Sequence, residues 1–181
     1  AINLPNDVYV PQANGRRSTY LERLTLMIED EIGLQLMDRV IWHPRNKLPA
    51  PTFATQTPHT HLKQSYEFVL WFCNDPEYCH RFANNQTLLT QYSSAQQTLI
   101  GQGGEQRERV NSDGNYIIKS GAFSNDNGGA LPGNVVEIGT TCKRYGREVS
   151  RIARQMGFAP HGAAFPLNFA KHFISWLAAP G

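Results

Sequence analysis

His161-Gly-Ala-Ala-Phe-Pro-Leu-Asn-Phe-Ala-Lys-His-Phe-Ile-Ser-Trp-Leu-Ala-Ala-Pro-Gly181 reads as a loop delivering a helix toward a further strand. Pro166 suits the first helical position, where its missing N–H removes no hydrogen bond. Leu167, Ala170, Phe173, Ile174 and Leu177 then fall on one face at helical spacing, and Pro180-Gly181 ends the run. Two stretches upstream have the character of strands that such a helix can cover. In Leu34 to Trp42 the apolar residues Leu34 and Leu36, then Val40 and Trp42, are spaced by two. Tyr66 to Cys73 (Tyr-Glu-Phe-Val-Leu-Trp-Phe-Cys) is almost wholly aromatic and branched apolar, the pattern of a buried strand.

Outward from these, Ala1 to Val10 opens apolar and strand-like and then turns polar, and Pro11 to Arg17 is a loop rich in Pro, Asn, Gly and Arg. Thr19 with Glu22 makes a capping box. Tyr20, Leu24, Met27 and Ile28 set a helix that runs to Ile32 and stops at Gly33. His43-Pro-Arg-Asn-Lys-Leu-Pro-Ala-Pro51 is too rich in proline for regular structure, and a long loop between strands of a compact domain is more often functional than idle. From Asn74 to Lys119 the composition turns polar. Leu88, Tyr92, Ala95 and Leu99 predict one helix there, followed by a loop from Gly101 to Asn115. Asn134 to Ile138 reads as a short strand and Arg144 to Met156 as a helix capped by Gly157. No internal repeat or low-complexity segment interrupts the chain.

At 181 residues, 40% hydrophobic and 18% charged, the chain can bury a real core as one domain. A net charge of +2 is too small for bulk attraction to nucleic acid, so that function has to rest on local clusters. No apolar run is long enough to span a membrane, and Ala1 begins without the features of a leader. The three cysteines, Cys73, Cys79 and Cys142, cannot all pair, which fits a reducing compartment and a cytoplasmic location.

Arg147, Arg151 and Arg154 share one side of the helical wheel, with Val149, Ile152, Ala153 and Met156 opposite and Lys143 and Arg144 just upstream. Such a stripe serves equally as a solvated face or as a set of phosphate contacts, which position a protein on DNA without reading sequence. The stretch Gln86 to Gln106 is rich in side chains that pair with base edges, and a plain surface helix has the same composition. Cys73, Cys79 and His80 are spaced too widely for a usual zinc site, and no second close pair completes four ligands, so no metal is expected. His59 and His61 lack a nearby carboxylate and read as polar loop. Gly101-Gln-Gly103-Gly104 has no apolar strand before it and is a flexible loop rather than a phosphate cradle.

The tail resembles the "H-P-x-x-F-P … I … P-G" segment of the amino-methylating DNA methyltransferases of permuted (beta-class) motif order, especially the cytosine-N4 enzymes. Gly162 stands where that family has proline. The order upstream is similar too: a helix, a strand ending in tryptophan (Trp42), an "N-x-x-P" loop (Asn46-Lys47-Leu48-Pro49), and a strand around Ser65-Tyr66-Glu67-Phe68-Val69-Leu70-Trp71-Phe72. Ser120-Gly-Ala-Phe-Ser-Asn-Asp-Asn-Gly-Gly-Ala-Leu-Pro-Gly-Asn134 closely resembles the segment that closes the family's target-recognition region. The likeness runs from Ala1 to Gly181 but lacks two parts: the chain has no Pro-Pro pair for the loop that polarises the exocyclic amine, and no glycine-rich cofactor turn.

The resemblance implies an α/β fold with a partial Rossmann-like methyltransferase sheet of about three strands, flanking helices and a largely irregular recognition region. It divides the chain into partial core (1–73), target-recognition region (74–133) and return to the core (134–181). It implies part of a site-specific DNA methyltransferase of a restriction-modification system, cytosine-N4 rather than adenine-N6, inactive alone and dependent on S-adenosylmethionine once joined by the missing parts. Ala163, Ala164 and Phe165 match the cofactor-side loop. Arg147, Arg151, Arg154, Lys143, Asn46 and Lys47 are the candidates for contact with double-stranded DNA. A complementary methyltransferase half and a second copy of the chain are the expected protein partners, with no membrane. A stand-alone DNA-binding module without catalysis is the alternative.

Overall fold

Strands form at Ile2–Leu4 (β1), Gln35–Trp42 (β2), Glu67–Cys73 (β3), Arg109–Val110 (β4), Ile117–Ile118 (β5) and Val135–Val136 (β6). Helices form at Tyr20–Met27 (α1), Phe53–Gln56 (α2), Pro76–Phe82 (α3), Ser94–Gly101 (α4), Lys143–Gln155 (α5) and Leu167–Leu177 (α6). These are elements of a computed structural model that describes residues 1–5, 10, 15–47, 53–56, 59–110, 113–140, 143–159 and 165–178. The chain divides into two compact units: Ala1–Asn84 with Gly133–Gly181, and Asn85–Pro132.

In the first unit the sheet order is β1-β3-β2-β6. β3 lies between β1 and β2 and is antiparallel to both, and β6 adds in parallel to β2 through Ile41↔Val135 and Trp42↔Val136. Four strands are thus joined where the sequence predicts about three, because β6, though only two residues long, finds a hydrogen-bonding edge on β2. Successive strand residues face opposite sides of a sheet, and both Val69 and Leu70 are buried, so β3 is covered on both faces as its composition predicts. One face carries the core cluster of Val40, Trp42, Val69, Val136, Phe169 and Phe173, the last two from α6.

The face α6 buries differs from the periodic one. Phe169 and Phe173 are buried, Trp176 and Leu177 pack beside them, and Ile174 is 63% exposed. Aromatic size decides this: Phe169 reaches Trp42 at 4.4 Å and Phe173 at 4.9 Å between ring centroids, and Trp176 meets Trp71 at 5.3 Å, so the helix turns its aromatic residues to the sheet. Pro166 sits one residue before the helix, in extended conformation, its carbonyl accepting from the Phe169 and Ala170 N–H groups.

α1 begins at Tyr20 as its pattern predicts, but the capping box does not form: the Thr19 side chain makes no cap, and the Ser18 hydroxyl accepts from the Tyr20 N–H instead. The helix continues as a π-turn over Ile28–Ile32 and ends at Gly33, whose φ of 77° is the left-handed conformation glycine adopts most readily. β2 carries an irregularity between Leu36 and Asp38. α3, which the sequence pattern does not announce, starts where Asp75 accepts from the Tyr78 N–H with Pro76 in the first turn. Cys73 and Cys79 form a disulfide, so two of the three cysteines do pair, and the argument from cysteine count to a reducing compartment falls away.

In the second unit the single helix expected over Leu88 to Leu99 is broken. A 3-10 turn covers Asn85–Leu88, Thr90 bridges to Ala130, and α4 begins only after Ser93, which caps it. The expected loop Gly101 to Asn115 contains β4, paired with β5.

Candidate nucleic-acid interface

The segment after β2 is fixed by polar ties rather than by regular structure. The Trp42 indole N–H donates to the Ile138 carbonyl at 2.6 Å, Asn46 Oδ1 accepts from the Thr140 N–H at 3.0 Å, and Arg45 pairs with Glu137. His43 also lies 3.4 Å from Glu137. The Glu137 carboxyl is held below the usual range by the hydrogen bond from Arg45, with His43 adding to the effect. Lys47 forms an ion pair with Glu67 on β3, with its side chain 12% exposed. Asn46 and Lys47, expected at DNA, are thus tied to the segment after β6 and to the sheet.

The basic helix forms as predicted. Arg147, Arg151 and Arg154 are all exposed on α5, while Lys143 begins it with its side chain outside the described residues. Arg151 is held by Glu148 at 2.5 Å and by Gln155 at 2.9 Å, which raises the arginine's pKa and lowers that of Glu148, the hydrogen bond between them being the first cause. An exposed pair of this kind contributes little to stability. The apolar side of the helix is open too, with Ile152 and Met156 exposed.

A second basic group lies where the sequence reads only as the loop Pro11 to Arg17. Arg16, Arg17 and Arg23, with Ser18 and Thr19, line a concavity of about 610 Å³ at the start of α1. The adjacent pair Arg16-Arg17 is the signal the sequence offers; the addition of Arg23, on the first turn of α1, requires the fold.

Of the cofactor-side residues, Ala163 and Ala164 lie outside the described residues. Phe165 is 54% exposed, stacked on Phe169 at 5.4 Å and 6.4 Å from Trp42. It presents a ring face backed by the aromatic core. Among the described residues no group of His, Cys, Asp and Glu side chains is arranged to hold a metal ion, and no helix is long and apolar enough to cross a membrane.

The second unit has its own concavity, of about 650 Å³, lined by uncharged residues, some hydrogen-bonding, among them Gln91, Gln96, Asn125 and Asn127, and some apolar, Phe123 and Leu131 among them. Tyr92 braces one wall: its hydroxyl donates to Asp126 at 3.1 Å and accepts from the Asn127 N–H at 2.7 Å.

No protein-family model matches the chain. It is 28% identical over 167 residues to the type II methyltransferase M.PvuII of Proteus hauseri, a match covering 91% of this chain and 47% of that protein. The chain thus spans about half the length of the curated relative it matches. Among solved structures it is similar to the PvuII DNA methyltransferase described as cytosine-N4-specific, with a TM-score of 0.58 at 19% identity over 96% of this chain and 45% of that one. The structural likeness fixes the fold as a mixed α/β arrangement, part of a Rossmann-like methyltransferase sheet with its helices. Over most of its length, this chain is homologous to the cytosine-N4 DNA methyltransferase M.PvuII.

Proposed function

We propose that the chain is part of a site-specific DNA methyltransferase dependent on S-adenosylmethionine, acting at cytosine N4 rather than adenine N6, and inactive without a complementary part. Its contribution is target recognition and one wall of the cofactor pocket. The observation that carries this reading is the match of 91% of the chain to a methyltransferase of which it spans 47%. When bound, S-adenosylmethionine supplies an electrophilic methyl group for direct attack by the amine of a flipped base. For this chain the relevant parts are binding surfaces. Phe165, its ring backed by Phe169, offers an aromatic wall toward the cofactor side, and Ala163 and Ala164 precede it in the sequence. Arg147, Arg151, Arg154 and Lys143 supply phosphate contacts. Asn46 and Lys47, tied to Thr140 and Glu67, complete the set of candidate DNA contacts.

Binding to duplex DNA is expected to be weak and salt-sensitive. Replacing Arg147, Arg151 and Arg154 together by alanine is expected to flatten the slope of log affinity against log salt by about one unit for each phosphate no longer neutralised, and a slope equal to the parent's would overturn the assignment. Adding a catalytic half with the Pro-Pro loop and the glycine-rich turn, together with S-adenosylmethionine, is expected to restore methylation. Selective DNA binding without rescue would instead support a stand-alone binding module.

A further inference from the structure

Phe123 has a backbone φ of 63°, one of two non-glycine residues with positive φ among the described residues, and its side chain is 54% exposed. A bulky residue in the left-handed region is strained, and such strain persists only where the surroundings over-determine it. They do so here. Gln96 Nε2 donates to the Phe123 carbonyl at 3.1 Å, the Glu105 N–H to the Ala122 carbonyl at 2.8 Å, and the Gly121 N–H to the Glu105 carbonyl at 2.7 Å. Gly104, with φ of 96°, lies so close that a Cβ there would run into the Gly121 and Ala122 carbonyls. Two neighbouring segments therefore grip this loop, and what they hold out is an aromatic ring more than half exposed.

The ring lines the concavity of the second unit, beside Gln91, Gln96, Asn125 and Asn127. No charged side chain lines it, and the nearby Asp126 carboxylate is taken up by the Tyr92 hydroxyl and the Gly128 N–H. An anion therefore finds no counter-charge there, nor does a cation. Carboxamides that both donate and accept, beside an exposed aromatic face, suit a flat, neutral ring with donors and acceptors on its edge. We propose that this concavity is a reading site for an unstacked nucleobase, with Phe123 supplying the stacking face and the carboxamides of Gln91, Asn125 and Asn127 the edge hydrogen bonds. The proposal rests on the reading of the chain as a DNA-recognising part.

The test compares Phe123→Ala, Phe123→Gly and Phe123→Trp in the full chain. Glycine relieves the left-handed strain, so Phe123→Gly is expected to melt at or above the parent's temperature while binding duplex DNA about tenfold or more weakly. The alanine variant is expected to lose affinity similarly, and the tryptophan variant to retain it. Unchanged affinity in the alanine and glycine variants would overturn the proposal and leave the phosphate-contact reading standing. A glycine variant melting well below the parent would assign the ring a structural role and overturn it as well. Should the parent bind no duplex at all, the DNA reading fails, and titration with deoxynucleoside monophosphates decides this proposal separately. Resonance shifts confined to the Phe123 ring and the pocket carboxamides would support it, and their absence would overturn it.

Discussion

His172 follows Lys171 on α6 and meets the edge of the Phe173 ring at 5.3 Å. Burial holds its pKa below the ordinary 6.5. The unfolded chain therefore takes up this proton before the folded chain does, and stability is lost as pH falls from about the ordinary value toward the lowered one. We expect the melting temperature to decline through this range and His172→Gln to flatten the decline; a parent curve as flat as the variant's would contradict the burial of this ring. Glu137 and Glu148 act in a separate, lower window, since their lowered pKa values give stability that disappears only as pH approaches the carboxylate range. At this scale the sequence is a partial guide. The helical period marks Phe173 and Leu177 correctly but chooses Ile174 over Phe169, because counting apolar residues ignores which rings can reach Trp42. Lys47 reads as a free cation until the fold brings Glu67 beside it.

Helix starts show the same limit at the level of elements. Thr19-x-x-Glu22 has the spacing of a capping box and does not cap, whereas Ser93 ends an extended turn with φ −63° and ψ 155°, and its hydroxyl accepts from the Gln96 N–H. Ser93→Ala is therefore expected to destabilise the unit that holds α4 by about 1 kcal/mol, and Thr19→Ala to leave stability within experimental error. Denaturant titration of the two variants checks both, and the reverse order would refute the assignment of caps. The strands are the most legible elements. Tyr66 to Cys73 and Leu34 to Trp42 are dense in branched and aromatic residues, and both form strands even though Asp38 accepts locally from the Arg39 N–H beside the irregularity in β2. The region from Leu88 to Leu99 is not legible as one element, because the Thr90 to Ala130 bridge is a long-range pairing that outweighs the local helical pattern.

For the whole molecule the sheet ends matter most. β1 pairs with β3 on one side and, among the described residues, with nothing on the other, and Ile2 on it is 39% exposed. A strand edge of this kind is a template for another chain. Concentration-dependent association is the expected outcome in light scattering, weakened by Ile2→Lys; a monomer at all concentrations would rule out this edge as the contact. The basic group at the start of α1 is the least legible in the sequence at this scale, since Arg16, Arg17 and Arg23 converge only through the turn into α1. The parallel pairing of β6 with β2 has a different kind of consequence. The chain leaves the first unit after Asn84 and returns at Gly133, and β6 re-enters through only two residue pairs. The sheet therefore constrains where the excursion comes back and not what it contains. Doubling the length of a flexible loop adds only about 0.6 kcal/mol to its closure, so replacing Asn85–Pro132 by a segment of different length is expected to leave the first unit folded, an outcome that thermal melting of such a chimera checks.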